Sequence, residues 1–202
     1  MPKSIHQELC EKGFHIIDNF LDPADYLSLV EKAQRLYRLG QFRSAKIGLS
    51  FDSNFNETIR NDQICWLDEK ANDAAMNAYF DKIAAIVTEL NKELFLSLIS
   101  FETHFAIYQP GSYYRKHIDQ FTHNKERQIS CVYYLNEQWQ EEFAGHLKLY
   151  DQQNNLLSTV LPQGNRFICF KSDLPHEVCE TKQTRYSIAG WMKTRASGRM
   201  IL

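Results

Sequence analysis

From Leu98 onward the chain is a succession of short β-branched and aromatic stretches: SFETHFAIYQ, RQISCVYYLN, HLKLYD, LSTVLP, RFICFKS and RYSIAGWMK. Turn material separates them, notably Pro110-Gly111, residues 152–155 and Gln163-Gly164-Asn165. Short strands at this spacing, broken by such residues, belong to antiparallel sheets that face one another. Ahead of them the pattern is helical. Asp22 is placed as an N-cap with Pro23 at the first helical position, and Tyr26, Leu27, Leu29, Val30, Ala33, Leu36 and Tyr37 form an apolar stripe ended by Gly40. A second helix is predicted over about residues 72–94, with Met76, Tyr79, Phe80, Ile83, Ile86, Val87 and Leu90 at helical spacing. GFHIIDNFL reads as an early strand. Two helices followed by antiparallel strands predict an α+β fold whose core is a jelly roll.

Two stretches within the strand-patterned half carry metal-ligand chemistry: His117 and Asp119 in RKHIDQF, and His176 in LPHEVCE. On an extended segment alternate side chains share a face, so His117 and Asp119 point one way and Ile118 the other. A histidine from a distant strand then completes two imidazoles and one carboxylate on one face of a metal, the donor set of non-haem Fe(II) oxygenases with coordination positions left open. An HxD triplet alone occurs by chance in any chain with several histidines. The discriminating addition is Arg185, nine positions after His176. Its planar, permanently charged fork suits a carboxylate such as the far end of 2-oxoglutarate.

No Pro/Gly/Ser-rich linker divides the 202 residues, and the length suits one domain, with helical support over about 1–97 and the jelly roll over about 98–195. A formal net charge of −2 gives no electrostatic reason to expect nucleic acid or an anionic membrane as partner. No apolar run is long enough to cross a bilayer, and MPKSIHQELCEKGFH lacks the apolar core of a secretory signal. Cys10, Cys65, Cys131, Cys169 and Cys179 are odd in number and scattered, which favours reduced thiols in a cytoplasmic compartment. Cys131 and Cys169 read as small buried apolar residues. Residues 43–63 are polar and aperiodic, the composition of either a solvated connector or a mobile lid over a site.

In order and spacing, IYQPGSYYRKHID, RQISCVYYLNEQW, AGHLKLY, FICFKSDLPHEV and TRYSIAGW resemble the 2-oxoglutarate- and Fe(II)-dependent prolyl hydroxylases, in the branch of the hypoxia-inducible-factor prolyl hydroxylases and their bacterial relatives. The resemblance covers about residues 12–195 and includes IRNDQICWLDEK, similar to that branch's substrate loop. It implies a double-stranded β-helix braced by the N-terminal helices. Fe(II), 2-oxoglutarate and O2 are the implied cofactors, with ascorbate stimulatory. It also implies hydroxylation of a prolyl residue in a protein or peptide as 2-oxoglutarate is decarboxylated to succinate; in a bacterium the target would be a translation factor or ribosomal protein. By resemblance Tyr134 bonds the carboxylate held by Arg185, Tyr108 borders the co-substrate, Leu147 walls the pocket, and Trp191 lies near the iron and the substrate. Arg60 and Asp62 match a polar pair of the substrate loop, and Tyr133 faces away from the site. A monomer or weak homodimer is expected.

The chain departs from the family where two glycines usually precede the x-Leu: it reads Ala144-Gly145-His146. With Leu147 facing inward, His146 faces out and is not a ligand, and His123 is placed in a loop. Three other functions remain open to the sequence: the same cofactors acting on another side chain or a small molecule, a non-catalytic module sensing iron or 2-oxoglutarate, and a His2Asp zinc hydrolase. The zinc reading leaves Arg185 and Tyr134 without a purpose.

Overall fold

The computed structural model describes residues 3–45, 58–67, 73–120 and 123–194. In chain order the elements are α1 (Ile5–Glu11), β1 (Phe14–Ile17), α2 (Pro23–Arg38), β2 (Arg43–Ser44), β3 (Gln63–Trp66), α3 (Ala74–Leu94), β4 (Ser100–Tyr108), β5 (Tyr114–His117), β6 (Arg127–Tyr134), β7 (Leu147–Tyr150), β8 (Leu156–Val160), β9 (Phe167–Lys171), β10 (His176–Val178) and β11 (Arg185–Lys193). They form a seven-stranded sheet, ordered β1-β9-β6-β11-β4-β3-β2, and a four-stranded sheet, ordered β5-β10-β7-β8. The strand pairings among the described residues are antiparallel, the two-sheet arrangement of a jelly roll.

The helices form where the sequence places them, for partly different local reasons. Pro23 occupies the first turn of α2, where its missing N–H costs nothing, but the Asp22 side chain makes no capping bond. Gly40 adopts φ +65° just past the helix, a conformation without steric penalty only for glycine. α3 is capped by its side chain: Asp73 accepts the Met76 N–H at 3.2 Å and pairs with Lys32 Nζ at 2.5 Å. The buried stripe of α2 is narrower than the sequence suggests, since Leu29, Val30 and Ala33 are buried whereas Leu27 is 45% exposed. The first helix, α1, and the short strands β2 and β3 are additions that periodicity did not reveal.

One face of the large sheet packs on the helices. Tyr79, Ile83, Val87 and Leu90 of α3 meet Phe101, Phe105, Tyr133 and Phe167 in a single buried cluster. Tyr133, expected to face away from the site, stacks on Tyr79 with ring centroids 5.6 Å apart. The opposite face looks toward the small sheet. Its lining follows from register, because directly paired residues share a face. Arg185 lies opposite Tyr108; Ser187 opposite Ala106 and Tyr134; Ala189 opposite His104 and Val132; Trp191 opposite Glu102 and Ser130.

Candidate metal centre and its cavity

The space between the sheets is a cavity of 860 Å³, and all three predicted ligands line it. His117 and His176 are direct cross-strand partners on β5 and β10, with ring centroids 4.2 Å apart. Asp119 follows β5 by two residues, and Ile118 between them is turned out to solvent. One donor atom from each of His117, Asp119 and His176 lies within 4.8 Å of the others. Both Nε2 atoms sit 3.5 Å from a different oxygen of the Asp119 carboxylate.

The second ring nitrogens fix the tautomers. His117 Nδ1 is 2.8 Å from the Arg115 carbonyl and His176 Nδ1 is 2.9 Å from the Leu174 carbonyl. A carbonyl only accepts, so each Nδ1 carries a proton, which leaves Nε2 as the nitrogen able to ligate from the cavity side. Burial, reinforced by the neighbouring His117, pushes His176 down to about 4, which keeps the imidazole neutral and able to ligate. Burial by itself would raise Asp119; attraction to His176 and His117 when those rings carry charge, with the Ser130 hydroxyl donating to it, outweighs burial and holds the carboxyl well below its ordinary value. Ser130 Oγ donates to Asp119 Oδ2 at 2.7 Å and is itself paired with Ser172 Oγ at 2.9 Å. Two imidazoles and one ionised carboxylate, oriented from behind, fit a divalent metal.

Arg185 is 1% exposed. Its Nε has no partner among the described residues, and its Nη1 makes a long 3.3 Å contact with Ser187 Oγ. Its guanidinium stands 4.9 Å from the Tyr108 ring and 5.1 Å from the Tyr134 ring. The Tyr134 hydroxyl is likewise buried without a partner. A buried guanidinium with an unused Nε donor, beside a buried phenol with hydrogen-bonding capacity left over, offers a place for a ligand to complete both. An anionic carboxylate accepts from both. Leu147, 1% exposed, supplies an apolar wall beside them.

At the other end of the same row lie Trp191, His104 and, from β3, the 40% exposed Trp66. His104 is buried between the two indoles, with ring centroids 4.9 Å from Trp66 and 5.4 Å from Trp191, and its Nδ1 lacks a partner. Burial, aided by Arg60 and Arg127, pushes it down to about 3, so it is a neutral imidazole. The Arg127 guanidinium lies 3.6 Å from the centre of the Trp191 ring. Sequence reasoning did not single out His104, Ser130 or Arg127. The alternation Glu102, His104, Ala106, Tyr108 along one face of β4 was the available signal for His104.

Arg60 lines the cavity, whereas Asp62 is 1% exposed with its carboxylate fully engaged by the Arg60 fork at 2.7 and 2.6 Å. Of the candidate lid, residues 46–57 lie outside the described residues. His146 is no ligand and sits 2.9 Å from Glu141 Oε1; His123 is exposed. Cys131 and Cys169 are buried free thiols, pushed up by desolvation. Ala144 holds φ +55° and ψ −136°, a backbone conformation suited to glycine, which gives a physical reason for the family's glycine at this position.

Residues 103–193 match the family described as the 2OG-Fe(II) oxygenase superfamily. Among solved structures, the chain is similar to a prolyl-4-hydroxylase from Pseudomonas putida, with 32% identity, a TM-score of 0.84, and 95% and 97% of the two chains covered. It is also similar to a Trichoplax adhaerens prolyl hydroxylase solved with a peptide fragment of the hypoxia inducible factor oxygen degradation domain, with 26% identity, a TM-score of 0.83 and coverage of 94% and 87%. A Caenorhabditis elegans hypoxia-inducible factor prolyl hydroxylase is 28% identical over 92% of this chain; the chain spans 27% of that relative's length.

Proposed function

This chain belongs to the prolyl hydroxylase family of the 2OG-Fe(II) oxygenase superfamily, and on that premise we propose that it hydroxylates a prolyl residue within a protein. The observation that carries the reading is the His117, Asp119, His176 cluster in one cavity with a buried arginine that has a free donor. Fe(II), 2-oxoglutarate and O2 are the superfamily's cofactors, and when bound they supply the oxidising power that places a hydroxyl on an unactivated C–H bond while 2-oxoglutarate becomes succinate and CO2.

The chain's own residues then have separable tasks. His117, Asp119 and His176 would hold the metal. Arg185 and Tyr134 would take the distal carboxylate of 2-oxoglutarate, with Tyr108 and Leu147 shaping the cavity beside them. Both sheets enclose this end, which excludes water from charge-assisted bonds and strengthens them. Trp191, with Arg60 held by Asp62, faces the substrate at the open end. The reading extends to one domain over residues 1–202, helical support about 1–97 and jelly roll about 98–195; the buried cluster shared by α2, α3 and the large sheet supports it. It also includes a cytoplasmic location, stimulation by ascorbate, no nucleic acid or membrane partner, and a monomer or weak homodimer. No helix among the described residues is long and apolar enough to cross a membrane.

The test is incubation with cell lysate, Fe(II), ascorbate and 2-oxoglutarate under ¹⁸O₂, followed by peptide mass mapping. Labelled oxygen on a proline-containing peptide is the expected result. Succinate formed only with free metabolites would overturn the protein-substrate assignment.

A further inference from the structure

His117 and His176 are held very differently by the fold. His176 sits on β10, paired on both sides by β5 and β7, and is 5% exposed. His117 ends β5, the edge strand of its sheet. An edge strand has no neighbour on its outer side to fix its side chains. Here segment 59–62, which leads into β3 of the other sheet, takes that place. The Arg115 N–H donates to the Ile59 carbonyl at 2.8 Å, the Tyr113 N–H donates to Asn61 Oδ1 at 2.8 Å, and Arg60 forms a bridge with Tyr114.

Two routes run from this segment to His117. Along the main chain, the Ile59 carbonyl holds the Arg115 N–H, and the carbonyl of the same residue, Arg115, accepts from His117 Nδ1. Through side chains, the buried Asp62 carboxylate holds the Arg60 fork, whose guanidinium lies 4.2 Å from the centre of the Tyr114 ring. Tyr114 in turn stacks on the His117 imidazole, with centroids 3.6 Å apart and planes 14° from parallel. Residues three apart on a regular strand point to opposite faces. They meet here because β5 is irregular: His117 to Tyr114 spans three residues opposite the two from His176 to Val178. Such a bulge re-aims a side chain.

We propose that Arg60 and Asp62, acting through Tyr114, are positioning residues for the metal ligand His117, so that metal affinity and the order of segment 59–62 are linked. The inference rests on the metal reading of the site and assigns these residues a role that needs no protein substrate. Partners behind a ligating histidine typically change metal affinity by about ten- to a hundredfold when removed. Coupling is reciprocal, so a metal that needs the segment in place must also hold it there.

The experiment is Co(II) titration of the metal-stripped protein, followed by its visible d–d absorption, with circular dichroism confirming the fold. Tyr114→Leu, and the charge-conserving pair Arg60→Met with Asp62→Asn, are expected to weaken Co(II) binding about tenfold and to alter the band shape. Tyr114→Phe keeps the stacked ring and should bind like the parent. In the unmodified protein, Co(II) should slow hydrogen exchange at the Arg115 and Tyr113 amides, a readout that stands even when a variant does not fold. Parental affinity and spectra in the folded variants, or exchange at those amides unchanged by Co(II), would overturn the proposal. Absence of d–d bands in the unmodified protein would instead remove the metal reading itself, and this inference with it.

Discussion

Replacing Arg185 by leucine should separate stability from co-substrate binding, because the structure assigns the two opposite signs. The guanidinium is 1% exposed and its Nε is unpaired among the described residues. Replacing a buried, poorly paired charge by an apolar residue of similar size is neutral or stabilising. The variant without 2-oxoglutarate should therefore melt no lower than its parent. Its affinity for 2-oxoglutarate should fall by the value of a charge-assisted contact, about 1.5–3 kcal/mol or roughly ten- to a hundredfold. Thermal melts of the metal-loaded protein under nitrogen read both quantities. At 2-oxoglutarate a hundredfold above the parent dissociation constant, binding stabilises the parent by about 2.7 kcal/mol; a hundredfold weaker variant keeps about 0.4 kcal/mol. For a chain of this size the difference is roughly 5–9 °C of ligand-induced shift. Arg185→Lys should recover only part, since an ammonium lacks the planar fork. An Arg185→Leu protein with the full shift would refute the assignment of this side chain to the carboxylate.

Alanine at His117, Asp119 or His176 should abolish succinate formation and Co(II) binding together, and normal turnover by any one would remove that residue from the metal site. Ser130→Ala deletes the 2.7 Å bond that orients Asp119 and should weaken Co(II) binding about tenfold in a folded protein, as read by the same titration. Asp73→Ala removes both the cap of α3 and the contact with Lys32, and should cost about 1–2 kcal/mol in urea denaturation with no change in cofactor affinity. His104 makes the acid limb steep: the unfolded imidazole takes up a proton near pH 6.5 but the folded one only near 3, so stability falls as pH drops between those values. Its share is about 2 kcal/mol at pH 5, and His104→Met should flatten that limb by this amount; identical pH profiles would reject the buried neutral state.

Sequence alone determined the parts whose signals are local. His117 and Asp119 are two residues apart, so their shared direction follows from an extended backbone. Each strand of the large sheet from β4 onward announces itself by its β-branched and aromatic residues and by the turn residues that bound it. The buried side of α3 follows from its periodicity, and Arg185 from its place on β11. Tertiary structure decided what depends on residues far apart in the chain meeting at a particular register. Ser130 reaches Asp119 from β6, eleven positions on. His104 is buried in the cavity because β3 and β11 bring Trp66 and Trp191 to its sides. The Arg60–Asp62 pair reads as a substrate contact by resemblance, and in the fold its guanidinium also lies 4.2 Å from the Tyr114 ring that stacks on His117. No periodicity predicts that, because it depends on a bulge in an edge strand and on a segment from the opposite sheet filling the empty side of that strand.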